Sequence, residues 1–157
     1  MRDSRSLRRL ELGRLTKPAG ILGTGSFILG NILIVGEQAA SPSTSPEQEP
    51  FCTSRGCSGW LNAKLELAGI PEDLLFWVNA LNNDGTTLDL TFYVDQLQPM
   101  LVFALGRVAK NSCINQRINH ESFPHPQYWR RFRTKEPYPL IVRLEELVKI
   151  YQFITKS

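Results

Sequence analysis

The chain of 157 residues is predicted to fold as an α/β protein, a three-layer α/β/α arrangement around a short, mainly parallel four-stranded sheet. Three observations predict it. Short runs of aliphatic and aromatic residues end at Gly or Asn, as buried parallel strands do where they run into a loop. Stretches with helical spacing alternate with those runs, and that order gives a sheet covered on both faces. The last such stretch, Tyr138 to Ile154, lines up Leu140, Ile141, Leu144, Leu147, Val148 and Tyr151 on one stripe, the pattern of an amphipathic helix.

Residues 1–20 read as a basic arm or short helix, with Arg2, Arg5, Arg8, Arg9, Arg14 and Lys17 against Asp3 and Glu11. Residues 21–157 form one domain, long enough to bury a hydrophobic core. Asn31-Ile-Leu-Ile-Val35, closed by Gly36, is the first strand, and Glu37 to Pro50 is a flexible loop rich in Ser, Pro, Gln and Glu. Gly56 to Gly69 is a helix, with Trp60, Leu61, Leu65 and Leu67/Ala68 at helical spacing and a glycine stop. Leu74 to Val78 is a second strand, ending in Asn79 and followed by the Asn82-Asn-Asp-Gly85 turn. Leu88 to Leu97 is ambiguous, although Asp95-Gln-Leu-Gln-Pro99 has the form of a helix end. Met100 to Ala104 is the third strand, Arg107 to Cys113 a short helix and Arg117 to Glu121 the fourth strand. Pro124 and Pro126 then stiffen the backbone and argue against a helix start, which leaves His125 to Phe132 as a stiff loop.

The net charge of +3 is modest, but its distribution is uneven. Arg130, Arg131, Arg133 and Lys135 form a second basic cluster, whereas every charge between Pro71 and Gln96 is acidic: Glu72, Asp73, Asp84, Asp89 and Asp95. Basic ends around an acidic middle suit a protein with one face toward a polyanion. Cys52, Cys57 and Cys113 are odd in number and lack CxxC spacing, which argues against a disulfide framework and a closed zinc site. Reduced thiols in a cytoplasmic or nucleoid-associated protein account for them.

The basic leader and the apolar run from Ile21 to Gly36 imitate a signal peptide, but four glycines, Thr24, Ser26 and Asn31 dilute the run. It is also too short and too polar to span a bilayer, so no membrane partner is expected. The Gly23-Thr-Gly-Ser26 run precedes its strand instead of following it, and so does not read as a phosphate loop.

In a parallel sheet the ligand sits at the carboxyl ends of the strands. Those ends carry Gly36-Glu37-Gln38, Asn79, Gly106 and, after the fourth strand, His125-Pro-Gln-Tyr-Trp-Arg-Arg-Phe132. The last stretch combines an imidazole, large aromatics and guanidinium groups, the equipment for gripping phosphates and wedging between bases.

So arranged, the chain resembles the uracil-DNA glycosylase superfamily over about Asn31 to Arg133. The resemblance is carried by Ile32-Leu-Ile-Val-Gly-Glu-Gln38 and by the segment from Glu49-Pro-Phe51 through Gly56 and Gly59 to Gly69-Ile70. Leu75-Phe-Trp-Val-Asn-Ala80 and Phe103-Ala-Leu-Gly106 followed by His125-Pro126 complete it. It implies excision of uracil or a related pyrimidine from single- or double-stranded DNA by hydrolysis of the N-glycosidic bond. Position by position, it implies that Phe51 stacks on a flipped base and Asn79 reads its Watson–Crick edge. His125 would donate to the base oxygen as the anion leaves, Trp129 would wedge into the minor groove, and Arg130 and Arg131 would hold phosphates. A preorganised donor of this kind contributes about 3–4 kcal/mol. Stacking, at about 1–3 kcal/mol per base, offsets much of the cost of flipping.

The chain departs from the family at two places. Gln38 stands where the best-known branch has a water-activating Asp, and Ala39 stands in place of the following Pro. Glu37 is therefore the one carboxylate in the turn and the candidate base, beside Gln38 and His125 in the catalytic set. The iron–sulfur branch needs four cysteines, two of them before the first strand, so no cluster, cofactor or metal is expected, and a monomer suffices. Each residue also has a plainer role: Phe51 packing under its loop, Asn79 capping a turn, His125 as a structural imidazole, Trp129 in the core. Two rival functions follow: a non-excising relative that binds or remodels a modified base, and an α/β interaction protein with no nucleic-acid role.

Overall fold

Five consecutive apolar residues hide both faces of a strand, and Ile32–Gly36 (β2) is buried along its whole length at the middle of the sheet. The computed structural model describes residues 14–37, 56–82 and 84–156. In chain order they form β1 (Thr24–Gly25), β2, α1 (Gly56–Leu67), a 3-10 turn (Glu72–Leu74), β3 (Leu75–Asn79), α2 (Leu90–Leu97) and β4 (Leu101–Leu105). There follow α3 (Arg107–Asn115), β5 (Glu121–Phe123), α4 (Pro126–Phe132) and α5 (Pro139–Lys156). The fold is mixed α/β.

The strand order is β1-β3-β2-β4-β5. β3, β2, β4 and β5 run parallel, with Ile34 beside Trp77 on one side and Phe103 on the other. The expected four-stranded sheet is one strand short: β1 adds an antiparallel edge, pairing Thr24 with Trp77 and Gly25 with Phe76. That edge explains the glycines of the Gly23–Ser26 run. Gly25 has φ +109°, and a Cβ there would lie 2.5 Å from the Leu75 carbonyl oxygen, so only glycine allows the backbones to approach.

Alternation along the strands divides the core in two. Ile32, Ile34, Leu75, Trp77, Phe103 and Leu105 face a cluster completed by Leu61 and Leu65 of α1 and Leu140, Ile141 and Leu144 of α5. Leu33, Val35, Phe76, Val78, Val102 and Ala104 meet Leu90, Tyr93 and Leu97 of α2 and Ala109 and Cys113 of α3 on the opposite face. The right-handed crossover rule accounts for this division. The chain moves from β2 to β3 in one direction and from β3 past β2 to β4 in the other. Right-handed connections must then place α1 on one face and α2 and α3 on the other.

One ambiguity is resolved and two local expectations are corrected. Leu88 to Leu97 resolves into α2, started by Asp89, whose carboxylate accepts from the Thr91 N–H at 3.1 Å, and ended by Gln98 at φ 43°. The fourth strand begins at Glu121 instead of Arg117, because Arg117 turns at φ 57° and Ile118 donates back to the Cys113 carbonyl at 2.9 Å, closing α3. The prolines around His125 do not prevent a helix. Pro126 is the first helical residue of α4, where the missing N–H costs nothing, and His125 is its N-cap. Among the described residues, no helix is long and apolar enough to cross a membrane.

Candidate functional site

The reversal of strand order falls between β2 and β4, the point at whose carboxyl ends ligands usually sit in open α/β sheets. Glu37 follows β2, Gly106 follows β4, and His125 lies two residues beyond β5. The backbone around them is tied down. Ala80 and Leu81 donate to the carbonyls of Gly36 and Glu37 at 2.8 and 2.9 Å, and Gly106 donates to Phe123 at 2.9 Å. The Tyr138 hydroxyl donates to the Pro124 carbonyl at 2.6 Å and anchors the approach to His125.

Gly106 is where the site closes. It has φ +92°, and a Cβ there would lie 2.7 Å from Glu37 Oε1 and 3.1 Å from both Cβ and Cδ2 of His125. The absence of a side chain lets a carboxylate and an imidazole converge on the start of α3. His125 Nε2 lies 3.8 Å from Glu37 Oε2, and both side chains are about one-third exposed. That separation exceeds a hydrogen bond and leaves room for a third atom in contact with both.

The protonation state follows from the capping bond. His125 Nδ1 accepts from the Gln127 N–H at 3.0 Å, so in the neutral ring the proton is on Nε2. Burial pushes the His125 pKa below its usual 6.5, and the Glu37 charge only partly opposes this. The site therefore presents a neutral N–H donor beside a carboxylate, two groups of opposite role in proton chemistry.

Asn79 ends β3, level with Gly36 in the register, and is half-buried. Its amide has no hydrogen-bond partner among the described residues. Two strand spacings, roughly 10 Å, separate it from the end of β4, a distance that a flat heterocycle and its contacts can bridge. Phe51 and Gln38 lie outside the described residues.

Trp129 is turned inward. Its indole N–H donates to the Glu136 carbonyl at 2.9 Å, and its ring lies 5.9 Å from that of Tyr138, against the cluster under α1 and α5. Half-buried and bonded in this way, it anchors α4 and does not project as a wedge. Arg130 is half-buried and Arg131 exposed on the same helix.

Two features of the site went unread in the sequence: the role of Gly106 as the floor under Glu37 and His125, and the exposed pair Tyr128 and Phe132. A glycine directly after a strand and aromatics four residues apart were the available signals. A cavity of about 910 Å³ opens at the opposite, amino edge of the sheet, with Gln98, Met100, Leu101, Ile118 and His120 among its lining. No group of three or more metal-ligating side chains occurs among the described residues. No protein-family model matches the chain, and no curated protein matches it significantly.

Proposed function

We propose that the chain is a DNA base glycosylase-type hydrolase that flips uracil or a related pyrimidine out of DNA and cleaves its N-glycosidic bond. The observation that carries this reading is the convergence of Glu37 and neutral His125 over Gly106 at the carboxyl ends of β2 and β4. In this reading Glu37 accepts a proton from a water molecule as its oxygen bonds to the anomeric carbon of the sugar. The bond from that carbon to the base nitrogen breaks, its electron pair leaves with the base, and His125 Nε2–H stabilises the anion at the carbonyl oxygen. The leaving base takes up the proton, so the products are the free pyrimidine and an abasic sugar. Asn79, with its amide uncommitted, reads the base edge, and Phe51 stacks on its face. The two core clusters on opposite faces of the sheet support the finer α/β/α three-layer architecture that accompanies this function. In this reading the protein acts as a monomer in a reducing compartment.

Release of uracil from labelled oligonucleotides, read as abasic sites, tests the proposal. Wild type should release the base, and His125→Ala should lower the rate by about 100- to 1000-fold, the usual effect of removing one such donor. Equal release by wild type, His125→Ala and Asn79→Ala would contradict it. Gln38, which cannot take a proton as an Asp can, favours a second reading in which the base is bound but not excised. Tight, salt-dependent DNA binding without an abasic product would select that reading.

A further inference from the structure

On a helix, positions four residues apart share a face, so Tyr128 and Phe132 of α4 lie side by side. Their ring centroids are 5.3 Å apart at 45°. Both are exposed, Tyr128 at 47% and Phe132 at 70%, although large aromatics usually find cover. Their partner on the helix, Trp129, supplies the anchor to the core and leaves the outer face free. Arg133, one residue beyond the pair, is held to Glu136 at 3.5 Å. Arg131 lies on the same turn of α4, with the Gln127 amide oxygen, oriented to accept, 3.0 Å from its Nε and Nη2.

We propose that Tyr128 and Phe132, flanked by Arg131, form a stacking platform that holds single-stranded DNA beside the Glu37–His125 site. The choice of DNA rests on the function proposed above; the platform itself rests on the geometry of α4. The argument for a single strand is steric. With Trp129 packed inward, α4 presents a broad aromatic surface instead of a projecting wedge. Such a surface needs the open face of a base, which stacking conceals in an intact duplex and an unpaired strand exposes. The guanidinium groups supply the phosphate attraction, and the acidic residues between Pro71 and Gln96 are absent from this helix. Phe132 lies seven positions beyond His125, about 10 Å along the helix, so a strand lying along α4 meets the platform within a few nucleotides of the site.

Fluorescence anisotropy with a labelled, uracil-free DNA strand and the corresponding duplex tests the platform without requiring catalysis. Wild type should bind the strand at least about tenfold more tightly than the duplex. Phe132→Ala should weaken strand binding by about tenfold, and Phe132→Trp should restore it. Arg131→Ala should lower the magnitude of the salt dependence by somewhat less than one unit on a log–log plot. Melting curves serve as the folding control, since truncating a residue as exposed as Phe132 should leave the transition almost unmoved. Equal affinity for strand and duplex, tighter binding of an RNA strand, or unchanged strand affinity in Phe132→Ala would overturn the inference. Glu37→Gln separates the two proposals and leaves the N-cap of α4 intact. It should keep strand binding while losing excision. If wild type binds the strand through Phe132 but releases no base, the platform stands and the excision reading falls. Excision with no effect of Phe132→Ala gives the converse.

Discussion

The two edges of the sheet contrast in a way that volume alone conceals. The amino edge has the cavity of about 910 Å³, bounded by the ends of α2 and α3, and its histidine, His120, points Nδ1 at the Ile118 carbonyl 2.8 Å away. The carboxyl edge gathers side chains instead. It brings Glu37 and His125 over a glycine that admits no side chain, and burial there displaces the pKa of His125 downward. The amino-edge cavity is a gap where two helices stop. The carboxyl edge between β2 and β4 is where the strand order reverses, and a carboxylate and an imidazole converge there. Convergence and a displaced pKa are better markers of chemistry than empty space.

The largest expected effect tests this contrast directly. Gly106→Ala forces a methyl group against Glu37 and His125 at a positive φ. Backbone strain should cost about 1–3 kcal/mol, and displacement of the two side chains should lower base excision by about 100-fold. At the amino edge, His120→Ala should change excision by less than about twofold; a comparable loss there would shift the chemistry to the wrong edge.

Trp129→Ala sharpens the distinction between anchor and wedge. Removing a half-buried indole that packs on Tyr138 and donates to Glu136 should destabilise the fold by about 2–3 kcal/mol, seen in denaturant melts. A wedge facing solvent would leave stability unchanged and alter only duplex binding.

A smaller effect concerns pH. Because the native pKa of His125 lies below 6.5, the unfolded chain binds this proton first as pH falls. Its contribution to stability is fully present above about pH 6.5, declines as pH drops toward the native value, and levels off below it. Urea melts between about pH 7.5 and 5 should show this loss, reduced in His125→Gln. An unchanged slope in the variant would show that other groups cause it.

The strands were legible because Ile32–Val35, Leu75–Val78 and Leu101–Ala104 are unbroken apolar runs, which only a strand buried on both faces requires. The stripe of α5 was legible for the same reason, with Leu140, Ile141 and Leu144 recurring at helical spacing. β1 was not, since two residues in a glycine run carry no alternation and pair only because their glycines allow contact with β3. The start of α4 was misread because a proline opposes a helix interior but suits its first position, and the difference depends on whether the preceding residue can cap. His125 can, through Nδ1, and that bond also fixes which nitrogen faces the site. Glu37 and His125 were legible as strand-end residues. Their meeting was not, because it depends on the register of β2, β4 and β5 and on the missing side chain at Gly106. The inward turn of Trp129 follows from the partners waiting for it, Tyr138 and the Glu136 carbonyl, which lie beyond the helix that carries it.

The chain has two histidines, one at each edge, so nitrogen-15 labelling of histidine gives one reporter per site. Titrating the labelled protein with a single-stranded oligonucleotide containing one uracil should move the His125 Nε2 resonance, while His120 stays in place. Displacement of His120 with His125 unmoved would contradict the assignment of the site to the Glu37–His125 pair.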